Sequence, residues 1–178
     1  MAVDEIIRRH SFMPERVRFQ GLAAEGNIGG TKVLALKPTT YMNLSGQSVG
    51  EAVRFYKISL ENIIVLHDEL DLPLGKIRVK TGGGHGGNNG LRSIIGHLGE
   101  NFCRVRLGIG HPGEKHLVTG HVLSNFSKAE QATVEAATES ISRHIDLLID
   151  GDAPGFMNKL ALDIAPYKNK DTDTTKGN

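Results

Sequence analysis

Lys76 to Ile95 reads K-I-R-V-K-T-G-G-G-H-G-G-N-N-G-L-R-S-I-I. Its first residues alternate cation and aliphatic, the pattern of a strand with two unlike faces. Its last residues, from Leu91, read as the start of a helix. Between them lies a run dense in glycine that also holds His85, Asn88 and Asn89. Glycine loses more backbone freedom on folding than any other residue, so such a run is costly unless the backbone must bend sharply or approach something closely. A loop opening a helix offers backbone N–H groups and the positive end of a helix dipole to an anion or a sugar-phosphate. A flexible linker is the plainer alternative, but a His and paired Asn are unusual in linkers, and the site reading is preferred. Strand, loop and helix in succession place the chain among α/β proteins.

The flanking sequence extends this pattern. Ala2 to His10 reads as a helix with Val3, Ile6 and Ile7 on one side. Thr31 to Leu36 is a short apolar strand ended by Lys37-Pro38, and Thr39 to Gly46 is a polar loop in which Ser45 is a candidate N-cap for a helix through about Tyr56. Asn62 to Leu66 is a buried-type strand that breaks into His67-Asp68-Glu69-Leu70-Asp71. Ile77 to Val79 and Phe102 to Ile109 are further strands. Ser127 and Glu130 form a capping box, followed by a stripe of Val134, Ala137, Ile141, Ile145 and Leu148 that Gly151 ends. Pro154 to Leu162 reads as a last helix. The expectation is one α/β domain over residues 1–167, with a twisted, mixed, mostly parallel sheet flanked by helices. Residues 168–178 read as a disordered polar tail.

With 178 residues, 39% hydrophobic and 23% charged, the chain can bury a core. A formal net charge of +1 argues against a protein that coats nucleic acid with an overall basic surface. Local charge is different: Arg78 and Lys80 alternate with apolar residues on one strand, and Arg104 and Arg106 do so on another. They form either a solvated sheet face or a phosphate-contacting patch. The single Cys103 allows no internal disulfide and reads as packing, and no run approaches a membrane span. A cytoplasmic location is the expectation.

Three chemistries are disfavoured. His67, Asp68, Glu69, Asp71 and His85 lack the spacing of metal ligands, and adjacent strand residues point to opposite faces. A Walker-type loop needs G-K-[ST], where this one has G-N-N-G. Ser45 in L-S-G-Q-S lacks the glycine pattern of a nucleophile elbow. General acid–base chemistry remains, with Asp68 the best carboxylate to orient a His and Asn side chains to hold a carbonyl or ester.

Four motifs, K-P-T-T-Y-M-N-L-S-G, H-D-E-L-D-L-P-L-G, G-G-G-H-G-G-N-N-G-L and R-V-R-L-G-I-G-H-P-G, together resemble bacterial-type peptidyl-tRNA hydrolase, in the family's order and spacing from Met1 to about Asp163. The resemblance implies a monomer without cofactor or metal that hydrolyses the ester between peptide and tRNA. It implies that Asn43 and Asn89 bind substrate, with Asn43 also placing water or the oxyanion, and that Tyr41 meets the tRNA. Asp68 matches the carboxylate that orients the general-base His. Arg78, Lys80, Arg104 and Arg106 match basic positions near the acceptor stem and its terminal phosphate. His85 and Asn88 belong to the substrate loop, and Asn88 stands where some members carry His.

The family opens with a strand, G-N-P-G, a Tyr and T-R-H-N, which carry the general base. This chain opens with M-A-V-D-E-I-I-R-R-H, which matches the first helix, so the expectation is a chain lacking the family's front segment. His10, His67 and His85 do not sit where that base belongs. The alternative is a non-catalytic RNA-binding protein on the same fold, like the relatives that serve in intron splicing in plant organelles.

Overall fold

The computed structural model describes residues 1–168; the expected polar tail falls almost wholly outside them. The fold is mixed α/β, with sheets flanked by helices, as expected. In chain order the elements are α1 (Ala2–Arg9), β1 (Arg16–Arg18), β2 (Gly21–Ile28), β3 (Thr31–Pro38), α2 (Ser45–Tyr56), β4 (Ile64–Glu69), β5 (Ile77–Thr81), α3 (Asn89–Leu98), β6 (Cys103–Gly108), α4 (Val118–Leu123), α5 (Lys128–Ile149) and α6 (Ala153–Lys168). Among the described residues there are two three-stranded sheets, ordered β1-β2-β3 and β4-β6-β5.

The expected mostly parallel sheet is corrected. β1, β2 and β3 form an antiparallel meander in which Arg16 faces Ala23 and Ala24 faces Ala35. Gly29 and Gly30, both at positive φ (57° and 89°), join β2 to β3. That is the two-residue turn whose twist matches a hairpin. Bonds from Cys103 N–H to the Ile63 carbonyl and from Ile109 N–H to the Glu69 carbonyl advance in step, as in a parallel pair. Bonds of Gly75 and Lys76 with Gly108, and of Gly82 with Phe102, run in opposite senses, so β5 and β6 are antiparallel. β2 escapes a reading by alternation because G-L-A-A-E-G-N-I is rich in residues of low strand propensity.

The contacts group into two compact units. In the unit of Val3–Val65 with Lys80–Arg104, Ile63, Leu91, Ile94 and Phe102 form a core that Val49, Val53 and Leu98 extend. α2 and α3 approach closely because Gly46 has no side chain. A Cβ there would lie 2.2 Å from the Ser93 carbonyl oxygen, and the Gly46 N–H donates to Ser93 Oγ at 2.9 Å. Ser45 is the first residue of α2 rather than its cap; its hydroxyl donates to the Met42 carbonyl at 2.8 Å. The segment expected to be a loop contains a 3-10 turn, Met42–Leu44.

In the second unit, Leu66–Val79 and the chain from Val105 onward, Ser127 and Glu130 form the expected capping box. Ile141, Ile145, Phe156, Leu160 and Ile164 are buried where α5 and α6 pack. Asp163 Oδ2 accepts from Ser140 Oγ, Arg143 Nη1 and His144 Nε2, at 2.9, 3.1 and 3.1 Å, fixing the two helices together. α6 begins near the expected place and continues to Lys168, past Leu162.

Candidate substrate site

The glycine-rich segment is a built loop, not a linker. Gly82, Gly83, Gly86 and Gly87 all have positive φ, between 55° and 89°, a region where side-chain-bearing residues are strained. The loop is closed by bonds from Gly82 N–H to the Phe102 carbonyl (3.2 Å) and from Asn88 N–H to the His85 carbonyl (2.9 Å). His85 Nδ1 accepts from Gly87 N–H at 3.1 Å, so His85 serves the loop's own shape through that nitrogen.

Arg104 underpins the loop from beneath. It is 3% exposed, and its guanidinium donates to the carbonyls of Gly84 (2.6 Å), Gly83 and Glu100 (3.4 Å) while lying 4.8 Å from the Phe102 ring centroid. Arg104, expected near tRNA phosphate, thus has its fork on backbone carbonyls beneath the loop. Lys80, by contrast, is exposed and lies over the loop; a Cβ on Gly83 would come 2.7 Å from its Nζ.

The loop ends at α3, whose N-cap is Asn88: its Oδ1 accepts from Leu91 N–H at 3.0 Å. Asn88, expected to touch substrate, has its side-chain oxygen committed to the cap. Asn89 is the first residue of the helix and is exposed. Met42 seats on the same turn, since a Cβ on Gly90 would lie 2.8 Å from its Sδ. This places the Tyr41-Met42-Asn43 segment against the start of α3, a contact that motif reading alone did not show. Tyr41 is 82% exposed, and the Asn43 and Asn89 amides have no hydrogen-bond partner among the described residues.

The second unit holds the remaining expected residues. Asp68 is half-buried on β4, and its carboxylate has no hydrogen-bond partner among the described residues. His67 donates from Nδ1 to the carbonyl of the next residue, Asp68, at 2.7 Å. Glu69 Oε2 pairs with Arg106 Nε at 2.9 Å, and Glu69 Oε1 accepts from Asp71 N–H at 3.2 Å. Burial raises the Glu69 carboxyl, but the Asp71 N–H and the Arg106 charge outweigh it and hold the group below its ordinary value. The Glu69–Arg106 pair was missed in the sequence because the partners are far apart in the chain. Arg78 is exposed on β5, with Ile77 buried, as the alternation predicted.

A family profile described as Peptidyl-tRNA hydrolase matches residues 1–170. The chain belongs to the peptidyl-tRNA hydrolase family. The peptidyl-tRNA hydrolase of Rhodospirillum centenum is 54% identical over 168 residues, covering 94% of this chain and 74% of the relative. That of Dinoroseobacter shibae is 57% identical over 166 residues, covering 93% and 71%. The crystal structure of peptidyl-tRNA hydrolase from Acinetobacter baumannii superposes with a TM-score of 0.84 at 45% identity, covering 89% of this chain and 82% of that one. In this peptidyl-tRNA hydrolase family member the glycine loop, the 3-10 turn and the first turn of α3 thus make one surface, stabilised from beneath by a buried arginine. Among the described residues no helix is long and apolar enough to cross a membrane.

Proposed function

We propose that this chain hydrolyses the ester joining a peptide, or an N-blocked aminoacyl group, to the 3′ end of tRNA. A water adds to the ester carbonyl, the bond from the acyl carbon to the tRNA oxygen breaks, and the products are a free carboxylic acid and a tRNA with its 3′ hydroxyl restored. Asn43 places the water or the developing oxyanion, and Asn89 holds the peptide backbone. Asp68 orients the imidazole that takes the proton from water. Tyr41, Arg78, Lys80 and Arg106 meet the acceptor stem and CCA end, with Arg106 presenting the edge not used by Glu69. The protein acts as a monomer.

The observation that carries this reading is the placement of the Asn43 segment on the first turn of α3 beside Asn89, with both amides exposed and uncommitted. A pure RNA-binding surface has no need of two such amides at one helix start. A site built to pair backbone polar groups of a peptide rejects a substrate lacking them, because its own groups are then left unpaired. That is the basis for selecting peptidyl-tRNA over unblocked aminoacyl-tRNA. His10, His67 and His85 are not assigned as that imidazole.

The deciding experiment is hydrolysis of N-blocked aminoacyl-tRNA, with unblocked aminoacyl-tRNA as the control. Selective turnover by the 178-residue chain would establish the activity. Salt-sensitive tRNA binding without turnover would leave the non-catalytic RNA-binding alternative. With turnover in hand, Asp68→Asn should lower kcat by about 10²–10⁴-fold while tRNA affinity holds. Unchanged kcat would remove Asp68 from the mechanism.

A further inference from the structure

The geometry points to Arg104 as a positioning residue for the substrate site, acting through the glycine loop rather than on the tRNA. A guanidinium buried to 3% exposure is costly unless hydrogen-bonded, and this one places its two terminal nitrogens on the loop carbonyls of Gly83 and Gly84 and on that of Glu100, just before β6. Arginine suits the task because its donors are held in a rigid planar fork. The Phe102 face, 4.8 Å from the guanidinium carbon and itself fully buried, fixes the plane of that fork.

The consequence reaches the site in two steps. With the Gly83 and Gly84 carbonyls turned in toward Arg104, the trans peptide plane turns the N–H groups of Gly84 and His85 to the opposite side. Beyond them, the His85–Gly87 and His85–Asn88 bonds carry the loop into the Asn88 cap, which sets where α3 begins and hence where Asn89 points. Four positive-φ glycines give the loop many alternative shapes, and Arg104 selects one. The inference rests on the function proposed above only in naming Asn89 as the substrate-holding group.

The test compares the 178-residue wild type with Arg104→Ala and Arg104→Lys, by amide hydrogen exchange across Gly82–Asn88 and by binding of N-blocked aminoacyl-tRNA at several salt concentrations. Arg104→Lys keeps the charge and guards against a variant that does not fold, but cannot fork across two carbonyls. Both variants should exchange the loop amides about tenfold faster, since each carbonyl anchor is lost or weakened. Affinity should fall while the slope of log K against log salt stays that of wild type, because no phosphate contact is removed. Where turnover is measurable, it should fall by about 10²-fold, chiefly in kcat, with partial recovery of the Ala variant on adding guanidinium ion. Unchanged loop exchange would overturn the inference, and so would a salt slope shallower by about one, the mark of a phosphate contact. A wild type with no affinity for the substrate would sink the proposed function instead, while loop exchange would still decide whether Arg104 holds the loop.

Discussion

Two glycines in α2 should respond to alanine with opposite signs. Helix propensity alone favours alanine over glycine by about 1 kcal/mol at either position. At Gly46 the added Cβ would lie 2.2 Å from the Ser93 carbonyl oxygen and 2.5 Å from His97 Nδ1. An ordinary contact is about 3.5 Å, so the start of α2 must retreat from α3 by about 1.3 Å. Backbone atoms on both sides cannot yield by a change of rotamer. Overpacking of this kind costs about 1–3 kcal/mol, and stretching the Gly46–Ser93 bond adds about 0.5–1.5 kcal/mol. Packing therefore outweighs propensity, and Gly46→Ala should be destabilised by about 1–3 kcal/mol net. At Gly50 the nearest atom to the added Cβ is Arg54 Nη1 at 3.1 Å, the far end of a flexible side chain, and the next residue's atom is His97 Cβ at 3.8 Å. There propensity wins, and Gly50→Ala should gain up to about 1 kcal/mol. Urea denaturation with a shared m-value measures both. Equal gains would refute the close α2–α3 crossing, and with it the reason the Asn43 segment sits against α3.

Other outcomes follow from the site. Asn88→Ala should cost about 1 kcal/mol by thermal melting, while Asn88→Asp, which keeps an acceptor at the cap, should cost much less. Equal losses would remove the cap as the reason for Asn88. Glu69 has a folded pKa below its ordinary 4.5, so its contribution is present above that value and is lost as pH falls through the lower folded one. The stability gap between wild type and Glu69→Gln should accordingly narrow in urea titrations carried from neutral pH into the acid range, whereas a constant gap would show that ionisation of Glu69 is irrelevant. Lys80→Ala should make the salt dependence of tRNA binding shallower by about 0.9, and an unchanged slope would return Lys80 to a merely solvated face.

Much of the site was legible in the sequence because its chemistry is local. Asn43 and Asn89 stand in short motifs, and the alternation around Ile77 and Val79 put Arg78 and Lys80 on the exposed face. The capping box at Ser127 was equally readable, since its partners lie three residues apart. The two arginines of R-V-R were not separable in this way. Period two places them alike, yet Arg104 is buried under the loop and Arg106 is paired with Glu69.

The sequence by itself therefore determined that this is an α/β member of its family with a glycine loop opening a helix, because periodicity, caps and glycine conformations are set by near neighbours. Tertiary structure alone decided which polar groups are spent and which are free. Asn88 is spent on a cap, Arg104 on loop carbonyls and Glu69 on Arg106, while the Asn43 and Asn89 amides stay exposed at one helix start. Such commitments depend on partners brought together from distant parts of the chain, where burial makes an unsatisfied donor or acceptor costly.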